Sequence, residues 1–158
     1  MFSQDGILRC TMSLVLLAGL SLLAGCEGRA ALIPISDSDL NRTSAQFAAD
    51  AAKRNYPATA PRGGDAEAMA DVDHGVRNRI QLENLSGDEW EGVELWVNEK
   101  YVVYVAHWPS KSLKKVNFAM LYDRDGQSFP TNNKDLQVQK IEMLRGGKMY
   151  NVPKRLAD

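Results

Sequence analysis

From Val76 onward the chain carries large apolar residues at alternate positions, in short runs separated by turn-forming residues, and this pattern restricts the fold more than any other feature. In "VRNRIQLEN", Val76, Ile80 and Leu82 alternate with Arg77, Arg79, Gln81 and Glu83. Side chains of an extended backbone point to opposite faces in turn, so the run predicts a half-buried strand. "VELWV" and "YVVYVA" follow as β-rich runs, and "VNFAMLY", "LQVQKIEML" and "KMYNV" come later. Between them lie "NLSGDEWEG", "NEK", "RDGQ" and "RGG", each supplying residues that turns require. At least six closely spaced short strands predict an all-β domain over residues 76–158, a small antiparallel sandwich or barrel. So small a domain is stable only if its sheets pack face to face.

The "NEK" segment sets a register. With a three-residue loop at Asn98–Lys100, Val97 pairs with Tyr101, Leu95 with Val103 and Val93 with Val105, giving one apolar face for the core. The opposite face then carries Glu94, Trp96, Val102, Tyr104 and, at the strand's end, Trp108. Aromatic side chains with a polar tip bring large contact area at low entropic cost. Trp96, Tyr104 and Trp108 are therefore the candidate partner-binding residues. The competing reading is that a second sheet, or the segment before residue 76, covers them.

That preceding segment has a different composition. Residues 28–75 are rich in Ala, Asp, Pro and Gly and poor in large apolar residues, which predicts a mostly disordered tether over 26–75. Within it, Ser38 or Asp39 caps a possible short helix over 40–54, with Leu40, Phe47 and Ala51 on one side, Lys53 and Arg54 in its last turn, and Pro57 ending it. A flexible coil of the tether's length has an r.m.s. span of roughly 40 Å.

At the N-terminus a short lead containing Arg9 precedes the uncharged, leucine-rich run "TMSLVLLAGLSLLA", which is shorter than the roughly 20 apolar residues a membrane-spanning helix needs. A basic lead, an apolar core and small residues predict a secretory signal peptide over 1–25. The boundary Leu23-Ala24-Gly25-Cys26 resembles the lipobox of bacterial lipoprotein precursors. That resemblance implies diacylglyceryl transfer to the Cys26 thiol, cleavage before it, and a palmitate-type lipid anchor that makes the membrane a partner through Cys26. Each buried methylene contributes roughly 0.8 kcal/mol, so two or three acyl chains anchor almost permanently. The implied location is the bacterial cell envelope, with the choice of membrane open. Cys10 would leave with the signal and Cys26 would be alkylated, so no thiol would remain for a disulfide, a metal or a nucleophile.

The C-terminal half carries a second resemblance. Asn84-Leu85-Ser86-Gly87-Asp88-Glu89-Trp90 through Leu95, and later Phe118-Ala119-Met120-Leu121-Tyr122-Asp123, are similar to the small FxLYD-type domains of bacterial exported proteins. The likeness implies an immunoglobulin-like sandwich without known catalysis. Its later motif has one residue more than the FxLYD pattern, and in a plain strand that extra residue would turn Phe118 to the opposite face.

Signals for chemistry are sparse. The formal net charge is −1, with 8 acidic and 5 basic residues over 27–73 against 11 and 13 over 76–158, which argues against a nucleic-acid partner. Asp71, Asp73 and His74 in "DVDHG" raise a metal reading, but a site needs a further ligand and a rigid shell, and a solvated loop is the simpler expectation. Asp123 and Asp125 before Gly126 lack the spacing of a calcium loop and read as a turn. His107, beside Trp108 and Pro109, reads as a strand-end residue and not as a general base. With no phosphate loop or nucleophile elbow, the expectation is a non-catalytic envelope protein without a cofactor, acting as an interaction or structural module. The alternative is a small metal-dependent or hydrolytic envelope enzyme.

Overall fold

A computed structural model describes residues 37–132 and 136–155. The signal peptide expected over 1–25, Cys26 and the start of the tether lie outside the described residues. The described chain contains strands β1 (Arg62–Asp65), β2 (Ala68–Asp73), β3 (Arg79–Asn84), β4 (Trp90–Val97), β5 (Tyr101–Trp108), β6 (Leu113–Asn117), β7 (Ile141–Arg145) and β8 (Lys148–Asn151), with one α-helix, α1 (Ser44–Ala51). Two single turns of 3-10 helix occur at Ser38–Leu40 and Phe118–Met120. Five strands form one sheet in the order β1-β8-β7-β4-β5, and three form the other in the order β2-β3-β6. The protein is a small all-β sandwich; its sheets do not close into a barrel. Among the described residues no helix is long and apolar enough to cross a membrane.

The β4–β5 hairpin has the register its sequence predicts: Val97 opposite Tyr101, Leu95 opposite Val103, Val93 opposite Val105. Asn98 and Glu99 take left-handed backbone angles, φ 52° and 59°, which close the three-residue loop. Asparagine tolerates that region, and here its side chain is also tied down. Its Nδ2 donates to the Gln137 carbonyl at 2.8 Å, and its Oδ1 accepts from the Gln139 and Lys140 amides.

Val93, Leu95, Val97, Val103 and Val105 meet Ala68, Ala70, Ile80, Leu82 and Val116 of the smaller sheet in the main core. Burial of these apolar faces, at roughly 25 cal/mol per Å² removed from water, drives the two sheets together. Trp90 and Trp108 are opposite one another and buried in the same core, with rings 5.3 Å apart and edge-on. Trp90 and Val93 are three positions apart, so a regular strand would aim them at opposite faces. Gly92, at φ 63°, turns the backbone between them so that both side chains point inward.

At Phe118 the chain leaves the strand as helix, not as a bulge. Phe118–Met120 forms a 3-10 turn closed by the Leu121 amide on the Phe118 carbonyl, so Phe118 and Leu121, three apart, both reach the core. The run "VNFAMLY" is consequently not one strand; β6 stops at Asn117, and after the 3-10 turn Tyr122 makes isolated bridges with Val102 and Ser128. In "LQVQKIEML" only the part from Ile141 is strand.

The expected tether needs correction from Asp37 onward. β2 pairs with β3 along its whole length, Ala68 opposite Asn84 to Asp73 opposite Arg79, and β1 adds a parallel edge to β8 in a sheet expected to be antiparallel. α1 is shorter than the expected 40–54 helix and is capped by Thr43, whose hydroxyl accepts from the Gln46 amide while the Gln46 side chain accepts from the Thr43 amide. Leu40 and Phe47 are core residues. Composition misled here because the buried side chains of β2 are alanines, Ala68 and Ala70, at 2% and 0% exposure. They contribute little area, but their small size lets β2 pack closely while β3 satisfies its backbone.

Truncating Phe47 to alanine tests this boundary. A core phenylalanine costs about 3–5 kcal/mol on truncation, whereas a tether residue would leave stability within about 0.5 kcal/mol. Urea unfolding of the Phe47→Ala variant is expected to give the larger loss.

Candidate functional site

The outer face of the five-stranded sheet, expected as a contact surface, is occupied by the protein's own chain. Trp96, Val102 and Met149 form a second buried cluster with Ala51, the last residue of α1, and Tyr56, Ala60, Tyr122 and Leu144 pack around it. Trp96 is only 2% exposed. The Tyr56 ring stands edge-on to it at 5.5 Å, and its indole N–H donates to Glu94 Oε2 at 3.1 Å. Tyr104, half-buried, lies under the Arg54 guanidinium at 4.4 Å, and its carbonyl accepts from Arg42. Trp96 and Tyr104 thus share a face as predicted, while Trp108 belongs to the main core. The expectation that these three residues present an exposed contact stripe is corrected: residues of the supposed tether cover the first two, as the competing reading has it, and Trp108, at the end of β5, packs against Trp90 in the main core.

Covering this face buries a charge. Glu142 on β7, next to the cluster, is 2% exposed. Its Oε2 accepts from the Tyr56 hydroxyl at 2.6 Å, and its Oε1 from Arg62 at 2.5 Å and Lys140 at 2.9 Å. Lys140 also donates to Glu99 at 2.7 Å. Burial alone would raise the Glu142 carboxyl, but the Tyr56 hydroxyl, Lys140 and Arg62 outweigh it and hold the group below the usual carboxylate range. Burial and the Glu142 carboxylate push the Tyr56 hydroxyl up. Hydrogen bonds to Glu99 and Glu142 push the Lys140 ammonium up. Beside the cluster opens a groove of about 410 Å³ lined by Arg62, Asp65, Lys140, Glu142, Met149 and Asn151. A smaller one of about 190 Å³ lies on the Trp96 side, between Arg54, Tyr56, Lys100 and Asp123.

Asp123 repeats the same physics. Burial would raise it, but its Oδ1 accepts from the Gln127 amide at 2.8 Å and the Asp125 amide at 3.0 Å, and Lys100 pairs with Oδ2 at 3.2 Å. The sum lowers its pKa. With Gly126 at φ 76°, this is the turn that "RDGQ" predicts. Both carboxylates stay ionised at neutral pH and serve as acceptors, a state suited to holding structure and not to exchanging protons.

The histidines are also engaged. His74 Nε2 accepts from the Val138 amide at 3.2 Å, and its ring lies against Phe118 at 5.1 Å. A nitrogen used in this way is not free for a metal, and Asp73 ends β2 instead of lying in a loop. His107 is half-buried beside Glu91, 2.7 Å from Nδ1, a contact that raises its pKa. The His107 backbone amide donates to Asp39, which with Asp37 also pairs with the buried Lys114. These contacts fasten the first described residues to the sandwich. Among the described residues no three His, Cys, Asp or Glu side chains converge as metal ligands. Comparisons with protein-family models, curated proteins and solved structures found no match.

Sequence reasoning missed Tyr56, Arg62, Lys140 and Glu142. Glu142 stands between Ile141 and Met143, where alternation assigns it to a solvated face, and Tyr56 sits in a segment poor in apolar residues. Only the fold-back of 52–61 joins them.

A carboxyl lowered in the folded state binds protons more readily when the chain is unfolded, so the stability it contributes is present above its unfolded pKa and lost as pH falls through the folded one. The wild type should therefore weaken on acidification below the ordinary glutamate range. Glu142→Gln should be less stable at pH 7 by about 1–3 kcal/mol, the cost of breaking hydrogen bonds to a buried charge, and show a flatter acid limb in unfolding midpoints measured from pH 3 to 7.

Proposed function

We propose that the chain is a lipid-anchored, non-catalytic module of the bacterial cell envelope, serving an interaction or structural role. The observation that carries this reading is the Leu23-Ala24-Gly25-Cys26 boundary at the end of a leucine-rich run too short to span a bilayer. The state of the titratable groups supports the non-catalytic part. Glu142 and Asp123 are saturated with donors and held ionised, while His74 Nε2 is engaged by a backbone amide. A general acid or base works best with a pKa near the working pH, and both carboxyls are displaced away from it. In this reading ten residues of sequence, Glu27 to Ser36, separate the lipidated Cys26 from the first described residue.

Expression of the full chain in a bacterium with the lipoprotein pathway tests the anchor. Intact mass should correspond to a polypeptide that begins at Cys26 and bears acyl chains, and the protein should partition into the detergent phase of a Triton X-114 extraction. Cys26→Ser should abolish the acyl mass. A wild-type product that keeps Met1 and carries no acyl chain would refute the proposal.

A further inference from the structure

Residues 52–60 reach the sheet through side chains. Among the described residues, their backbone hydrogen bonds stay local: Ala52 to Ala48, Lys53 to Asp50, Arg54 to Ala51, Ala58 to Tyr56 and Ala60 to Pro57. The first backbone bond to the sheet comes at Pro61, whose carbonyl accepts from Met149. What holds the segment down is the edge of Tyr56 on Trp96, the Tyr56 hydroxyl on Glu142, and Arg54 between Asp50 at 3.1 Å, Glu94 at 3.5 Å and the Tyr104 ring. Both ends are fixed independently, by Phe47 of α1 in the main core and by β1 on β8. A short segment with few apolar contacts and no ladder to its substrate opens at far lower free energy than the strands beneath it.

We propose that residues 52–60 are a strap that lifts from the sheet as one unit while the sandwich stays folded, baring Trp96 and Met149. The Tyr56 to Glu142 hydrogen bond is its latch. Lifting requires no strand to unpair, because the segment lends none of its backbone to the sheet. Trp96, Val102 and Met149 are thus almost wholly buried in the resting protein, and the open state exposes them.

The protein contains its own pair of reporters. Met149 and Met143 lie on adjacent strands and both are fully buried, yet Met149 belongs to the cluster under the strap and Met143 to the main core. Hydrogen peroxide transfers one oxygen atom to an accessible thioether sulfur and is itself reduced to water. With the purified full chain under native conditions and peptide mass spectrometry, Met149 should oxidise at least about tenfold faster than Met143. The half-buried Met69 and Met120 serve as references for a reactive sulfur. Tyr56→Phe removes the latch hydroxyl and should speed Met149 by about tenfold, the scale of one hydrogen bond to a charged group, with Met143 unchanged. Equal rates for Met149 and Met143 in the wild type would overturn the proposal, since both would then await global unfolding. So would acceleration of both by Tyr56→Phe, or a fast Met149 that Tyr56→Phe leaves unaltered, which would mean entry through the adjoining groove.

Discussion

Strand β4 is apolar on both faces, and that requirement shapes the molecule. Val93, Leu95 and Val97 look inward to the smaller sheet, while Trp96 looks outward with Val102 of β5 and Met149 of β8. A sheet with apolar residues on both faces must be covered twice. The first cover is the three-stranded sheet, which supplies Ile80, Leu82 and Val116. The second is not regular structure at all but the end of α1 and the chain that follows it. Without that chain an indole and a methionine side chain would lie in water beside the Glu142 carboxylate.

The second cover determines the electrostatics. Bringing Tyr56 over the face places its hydroxyl on Glu142, and the return of the chain into β1 delivers Arg62 to the same carboxylate. A buried carboxylate is tolerable only with its lone pairs occupied, and here three donors from three separate parts of the chain occupy them. The arrangement stabilises the ionised form and so withdraws Glu142 from acid–base chemistry at neutral pH. Asp123 reaches the same state through a turn and one lysine. The charged groups around the grooves act as fasteners of loops, in keeping with the proposed role as an anchored module and not an enzyme.

Much of the fold was legible because local rules agreed with tertiary ones. The β4–β5 pairing followed from loop length and alternation, and the structure places every pair as those rules require. Two places resisted. Gly92 carries no side chain, so nothing in its neighbourhood announces that Trp90 will share the inward face with Val93. The segment 37–75 resisted because its apolar content is alanine, with few larger residues such as Leu40 and Phe47. Counting large residues underestimates a strand such as β2, which packs by closeness and takes its backbone partners from the next strand. The Glu142 cluster was beyond reach because two of its three donors, Arg62 and Tyr56, stand 80 and 86 residues away along the chain.

By itself the amino-acid sequence determined the class of fold, the β4–β5 register and the turn at Asp123, because each depends on side-chain period or on the backbone preferences of a few adjacent residues. It also carries the Cys26 motif, which is read linearly and needs no fold. Only the tertiary structure decided that Trp96 is covered, that Trp108 points inward, and that Glu142 is buried among donors. Those outcomes depend on which distant segment comes to rest on which face, and period-two alternation holds no information about what will cover it.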